Sequence, residues 1–168
     1  MKQIKNILAP NDLSAGAREG TRFALEMAQG CGAAVIVYHV ISYEDAEFPV
    51  HHGAEQWAAS NESREEIQDL TRKRKQDLHQ YLTANFPDAL SGLKVREEVE
   101  IGIPYKKIAE KAVAEGVDMI VMSTHGRSGV LRLLIGSVTE KVVRLAACPV
   151  LSVPPSDKET STDKEKTD

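Results

Sequence analysis

The densest run of residues able to do chemistry is the segment 123–137, STHGRSGVLRLLIGS. It carries Gly126, Gly129 and Gly136, the arginines Arg127 and Arg132, and a serine, Ser137, where a helical pattern begins. A helix N-terminus presents unpaired N–H groups and partial positive charge, and glycines allow close approach to the backbone. Together these make an anion site, with about 0.3–2 kcal/mol from the dipole alone. Ser137-Val138-Thr139-Glu140 has the S-x-x-E form of a capping box, which predicts a helix starting just after Ser137. A purely structural reading stands beside this one: the glycines shape a turn and Ser137 only caps. The better-known phosphate loops are absent. No GxxxxGK(S/T) occurs, no GxGxxG follows the first strand, and Gly30-Cys31-Gly32 precedes a strand, where it terminates a helix.

Other residues carry weaker signals. His125 has acid–base chemistry but no carboxylate adjacent in sequence, so a surface or backbone-shaping role is expected. His51-His52, with Glu47 or Glu55, offers metal-ligand types, although adjacent loop histidines are ordinarily just solvated. Arg72–Lys75 reads RKRK without interleaved aromatics and with Asp69 four residues before Lys73, the pattern of a solvated helix face.

The elements that must position these residues alternate between strand and helix. A strand over 4–9 ends at Pro10; a helix follows, with Asp12 or Ser14 as N-cap, a stripe of Gly20, Phe23, Ala24, Met27 and Ala28, and a stop at 30–32. Residues 33–41 form a nearly continuous β-branched run, as in a strand buried on both faces. Segment 42–60 reads as a loop, and 61–85 as a helix with Ile67, Leu70, Leu78, Tyr81 and Leu82 on its apolar side. Over 93–101, Leu93, Val95, Val99 and Ile101 alternate with Lys94, Arg96, Glu98 and Glu100, which marks a strand near a sheet edge. Pro104 suits a helix's first turn, with Ile108, Ala109, Ala112 and Val113 as the buried stripe and Gly116 as the stop. A buried-type strand over 118–123 follows, then a helix over 137–147 with Val138, Val142, Leu145 and Ala146 inward, and a last strand over 149–153. The order βαβαβαβαβ predicts an α/β fold: one five-stranded parallel sheet with helices on both faces, doubly wound, over residues 1–153. Residues 154–168, PPSDKETSTDKEKTD, bury too little apolar surface to offset their ordering entropy and are expected to form a charged, disordered tail.

Composition narrows the class. The chain has 168 residues and a net charge of −4, which gives no general attraction to nucleic acid or anionic membrane. Its longest apolar run, Ala33 to Tyr38, is far short of the roughly 20 residues of a membrane span. No secretory signal follows Met1, and Cys31 and Cys148 are far apart in sequence, so the expected setting is the reducing cytoplasm.

In open α/β sheets ligands bind beyond the carboxyl ends of the strands, at the switch in strand order, which directs attention to 10–14, 40–41 and 123 onward. With Ile4–Asp12 (IKNILAPND), Gly102-Ile103-Pro104, Asp118–His125 (DMIVMSTH), Gly126–Ser137 and Ala147–Val153 (ACPVLSV), the chain resembles the universal stress protein family over roughly residues 2–153. The nucleotide-binding members carry G-x2-G-x9-G-(S/T). Nine residues separate Gly126 from Gly136-Ser137, as in that motif, while its first glycine falls on Ser123. The resemblance implies strand order 3-2-1-4-5 and a site for ATP accompanied by Mg²⁺ or Mn²⁺. In that site Pro10, Asn11, Asp12 and the backbone of Val40 would meet adenine and ribose, and Met122 would line the pocket. Ser123, Gly126, Gly136, Ser137 and the Val138 N–H would hold phosphates, with Arg127 as a neighbour. Asn11 stands where many members have Thr. The resemblance also implies a homodimer through strand 149–153. That edge strand needs a partner on physical grounds as well. Two other readings remain open: a ligand-free interaction module, which the Ser123 departure permits, and a slow ATPase, for which no general base stands at a suitable spacing.

Overall fold

The computed structural model describes residues 3–46, 64–124 and 135–155. Five strands, β1 (Asn6–Pro10), β2 (Ala34–Ile41), β3 (Val95–Ile101), β4 (Met119–Ser123) and β5 (Val150–Val153), form one all-parallel sheet in the order β3-β2-β1-β4-β5. The connecting helices are α1 (Arg18–Cys31), α2 (Arg64–Asn85), the short α3 (Pro87–Leu90), α4 (Pro104–Ala114) and α5 (Ser137–Leu145). The alternation read from the sequence is therefore the architecture found, with strand boundaries moved by one or two residues, a 3₁₀ turn at Ala15–Ala17 ahead of α1, and α3 as an addition.

Alternation along the central strands divides the core in two. Ile7, Ala9, Val35, Val37 and Val121 face α1 and α2, where Ala24, Leu25, Ala28, Leu78 and Leu82 meet them. Leu8, Ile36, Tyr38, Val40, Ile120 and Met122 face the opposite layer and pack on Ile108, Ala112 and Val142. Gly32 closes α1 with φ of 70°, the left-handed conformation that its missing Cβ permits. β3 is an edge strand as expected, and no residue along it is fully buried. Two expected core positions are corrected: Val113 is 65% and Leu145 55% exposed. Each helix covers the sheet with a stripe narrower than its apolar pattern, because only one face of an outer helix reaches an open sheet. The RKRK stretch is solvated as read, although Asp69 pairs with Arg72 instead of Lys73.

One detail of the ladder prepares the site. The β1–β2 ladder runs on to Pro10↔Tyr38 and the β4–β5 ladder to Ser123↔Val153, but β1–β4 register stops at Leu8↔Ile120. Odd-numbered residues of β1 turn their backbone groups toward β2, as Asn11 N donates to Tyr38 O, and even-numbered ones toward β4, as Asp118 N donates to Asn6 O. The next donor toward β4 would be the N–H of residue 10, which proline lacks. The two central strands part at that point.

Above the parting, α1 lies very close to β4. A Cβ on Gly20 would stand 2.4 Å from Ser123 N, and the Gly20 N–H donates to Ser123 Oγ at 2.9 Å. Gly20→Ala must therefore displace helix from strand, and we expect a loss of about 1–3 kcal/mol in chemical denaturation. Gly30→Ala, on the same helix with nothing within 4 Å of its Cβ, should instead gain about 0.4–1 kcal/mol.

Candidate functional site

The parted ends of β1 and β4 open into a cavity of about 610 Å³, the size of a small-molecule site. Its walls come from the loop after β1 (Pro10, Asn11, Asp12), from Val40 and the turn after β2, from Gly102-Ile103-Pro104 and the first turns of α4, from Met122-Ser123, and from Gly136-Ser137-Val138 at the start of α5. Nine of the eleven site residues named from the sequence thus lie around one cavity. The other two, Gly126 and Arg127, fall outside the described residues, as do His125, Gly129, Arg132, Glu47, His51, His52 and Glu55.

The loop after β1 is held by its own polar groups. Asn11 Oδ1 accepts from Leu13 N at 2.7 Å, its Nδ2 donates to Thr21 Oγ1 at 2.8 Å, and the buried His39 ring nitrogen Nδ1 lies 2.8 Å from Asn11 O. Asp12 Oδ1 accepts from Ser14 N at 3.1 Å and from Ser14 Oγ, while Ser14 Oγ in turn accepts from Ala17 N and caps the 3₁₀ turn Ala15–Ala17. Of the two expected caps, Ser14 serves the turn leading into α1 and Asp12 orients Ser14. Leu13 has φ of 63°, a costly conformation for a branched side chain, of a kind that collects at ligand-binding loops.

On the far side the capping box expected from Ser137 and Glu140 does not form. The N-cap of α5 is Gly136, which makes no side-chain cap bond; Ser137 is the first helical residue and Glu140 pairs with Arg144. The backbone is fixed by tertiary contacts: Gly136 N donates to Thr124 O at 2.7 Å, and Thr139 Oγ1 donates to Ser123 O at 3.0 Å. A Cβ at 136 would stand 3.0 Å from Thr124 O, so glycine suits this approach. A glycine cap supplies no side-chain acceptor to the first-turn N–H groups of α5, which begins at the cavity wall with Ser137 and Val138.

Ser123 stands in β4 without left-handed strain, since Leu13 is the one non-glycine residue with positive φ among the described residues. Its hydroxyl accepts from Gly20 N and keeps its own proton to donate.

The floor and the α4 wall hold residues that sequence reasoning missed. Tyr38 is buried, its hydroxyl has no hydrogen-bond partner among the described residues, and burial together with the nearby Glu100 charge pushes the phenol far above its usual pKa, so it stays neutral. Lys111 Nζ lies 5.2 Å from the Tyr38 ring centroid and pairs with Glu98 at 2.8 Å and Glu100 at 2.6 Å; Lys107 pairs with Glu100 at 3.3 Å. Burial alone would raise Glu100 and lower Lys111. The hydrogen bonds and charges between them outweigh it, so Glu100 titrates below and Lys111 above its ordinary value. Tyr105, Ile108 and Lys141 complete this side. A tyrosine beside His39 in a run of buried aliphatic residues was the available signal for Tyr38; nothing in the sequence joins Tyr105 to Lys141.

This sheet order, with a cavity at the β1/β4 switch point, defines a doubly wound α/β domain. The model of the universal stress protein family matches residues 3–154, and the chain belongs to that family. Universal stress protein MJ0577 of Methanocaldococcus jannaschii is 31% identical over 155 residues, 89% of this chain and 94% of that protein. The solved structure of MJ0577 aligns over 93% of this chain and 99% of its own with a TM-score of 0.67 at 29% identity. Two more distant relatives share the fold at 20% identity. One is a universal stress protein in complex with cAMP (TM-score 0.57, 92% of this chain and 100% of that one). The other is a universal stress protein of Archaeoglobus fulgidus in complex with dAMP (TM-score 0.50, 90% and 98%).

Proposed function

We propose that this protein is a cytoplasmic regulator that binds ATP in the switch-point cavity. The observation that carries the reading is the division of the cavity by chemistry. The Asp12 carboxylate stands at the end of β1, and across the parted strands lies the α5 N-terminus, capped by a glycine that makes no side-chain cap bond. A molecule with sugar hydroxyls or an amino group at one end and phosphates at the other matches both. Asp12 accepts from the ribose or the base edge, and Pro10, Asn11, Val40 and Met122 enclose the base. Gly136, Ser137 and Val138 hold phosphates, with Ser123 beside them. The relatives solved with cAMP and dAMP support an adenine nucleotide as the ligand class. Gly126 and Arg127 keep their proposed phosphate roles from the motif spacing alone. No group of three or more His, Cys, Asp or Glu residues suited to a metal lies among the described residues, so Mg²⁺ or Mn²⁺ in this reading arrives on the phosphate oxygens. Two free thiols, Cys31 and Cys148, support a reducing compartment, and none of the described helices is long and apolar enough to cross a membrane.

Asp12→Asn tests the assignment without unmaking the loop, because the amide oxygen can still accept from Ser14. Isothermal titration should show ATP binding to the native protein and a loss of about tenfold or more in the variant, the worth of a charge-assisted hydrogen bond. Equal affinities would remove Asp12 from the site.

We further propose a homodimer through β5, the strand over residues 149–153. Among the described residues, β5 pairs with β4 alone. The Pro149 and Val153 carbonyls face β4, where Ile120 N and Thr124 N donate to them, so the Val150 and Ser152 backbone groups face outward. Ser152→Pro deletes one outward N–H and spares the β4 ladder. Light scattering should report a dimer for the native chain and a monomer for the variant; a dimer in both would place the interface elsewhere.

A further inference from the structure

The cavity's charged groups are unevenly placed. Its carboxylates, Asp12, Glu44 and Asp45, stand on the loops after β1 and β2. Among the described residues lining it, the one lysine or arginine is Lys141, one turn into α5 beyond Ser137. Lys141 makes no ion pair with any of the described residues, although two of its helix neighbours, Glu140 and Arg144, pair with each other. Its ammonium lies 4.8 Å from the ring centroid of Tyr105, which projects from the first turn of α4 into the same cavity. The two side chains therefore reach toward each other from two separate helices.

A cation on an exposed aromatic face is held weakly, and a cation on a phosphate oxygen more strongly, because full charges attract and the N–H···O bond is charge-assisted. Lys141 is thus a cation held in reserve: its resting partner is an uncharged ring, which an anion can displace without leaving a carboxylate behind. The backbone N–H groups of Ser137 and Val138 offer fixed partial charges, which are satisfied by the first phosphate to reach them. A mobile full charge beside them adds binding that grows with the ligand's negative charge.

Building on the nucleotide reading above, we propose that Lys141 is the specificity-determining residue that makes this cavity favour nucleotides with more phosphate charge, leaving the Tyr105 ring to pair with the phosphate chain. The selected class is the adenine nucleoside polyphosphates over the monophosphate and the free nucleoside.

The test is titration calorimetry of the native full chain, Lys141→Gln and Lys141→Arg against ATP, AMP and adenosine, with magnesium present throughout. Lys141 is exposed, so both variants should melt within about a degree of the native protein. The expected pattern is a loss of about tenfold or more for ATP in Lys141→Gln, a smaller loss for AMP, none for adenosine, and recovery of most ATP affinity in Lys141→Arg. An unchanged ATP affinity in Lys141→Gln would overturn the assignment while the nucleotide reading stands. So would equal losses for ATP and adenosine, which mark a structural role. Failure of the native protein to bind any of the three ligands would overturn the nucleotide reading, and this inference with it.

Discussion

A missing hydrogen-bond donor at Pro10 governs the layout of the functional end of this molecule. Parallel strands stay together as long as each alternate N–H finds a carbonyl across the ladder. β1 sits between β2 and β4 and must satisfy both. Toward β2 it does so through Asn11; toward β4 its last register pair is Leu8↔Ile120. Beyond that the sheet splits where its winding changes direction, and the gap becomes the cavity. Without the split, the β1 loop and the α5 N-terminus would be closed off from each other by continuous sheet.

The separated strands have to be held in place, and the bonds that hold them also shape the walls. α1 is drawn against the end of β4 by the Gly20–Ser123 bond, and α5 is tied to the same end through Thr124 O and Ser123 O. Across the gap, His39 and Thr21 fix Asn11, whose side chain fixes the turn at Leu13. Hence Ser123, the departure from the family's first motif glycine, is compatible with an open cavity. Its hydroxyl serves as acceptor for a helix N–H that would otherwise be unpaired in a buried place, and Gly20 provides the room. The cost of such an unmet N–H, about 1–3 kcal/mol, is ample reason for the side chain to turn toward α1.

The fold was legible because its signals are local and periodic. The β-branched run over 34–41 and the two-residue alternation over 95–101 distinguish a central from an edge strand without any knowledge of the sheet. The place of the cavity was legible in outline, since the switch-point rule directs attention to the strand ends, where the cavity lies. What failed to show depends on contacts between distant segments. The S-x-x-E signature cannot reveal that Gly136, tied to Thr124, takes the N-cap position and makes Ser137 the first helical residue. Val113 and Leu145 extend apolar stripes that a helix on an open sheet does not bury in full. Tyr38 under Lys111, and Lys141 on Tyr105, meet only once the sheet has brought β2, α4 and α5 together.

The proposed adenine nucleotide occupies the gap between β1 and β4, and every assigned role depends on its binding there. The most direct measurement is a two-dimensional amide NMR titration of the isotope-labelled protein with ATP. The predicted result is a set of saturable shifts confined to the cavity: Asn11 and Asp12 at one end, Val40 at the floor, and Gly136, Ser137 and Val138 at the other, with α2 and the outer face of β3 undisturbed. Shifts centred away from these residues, or a spectrum unchanged at saturating ATP, would contradict it.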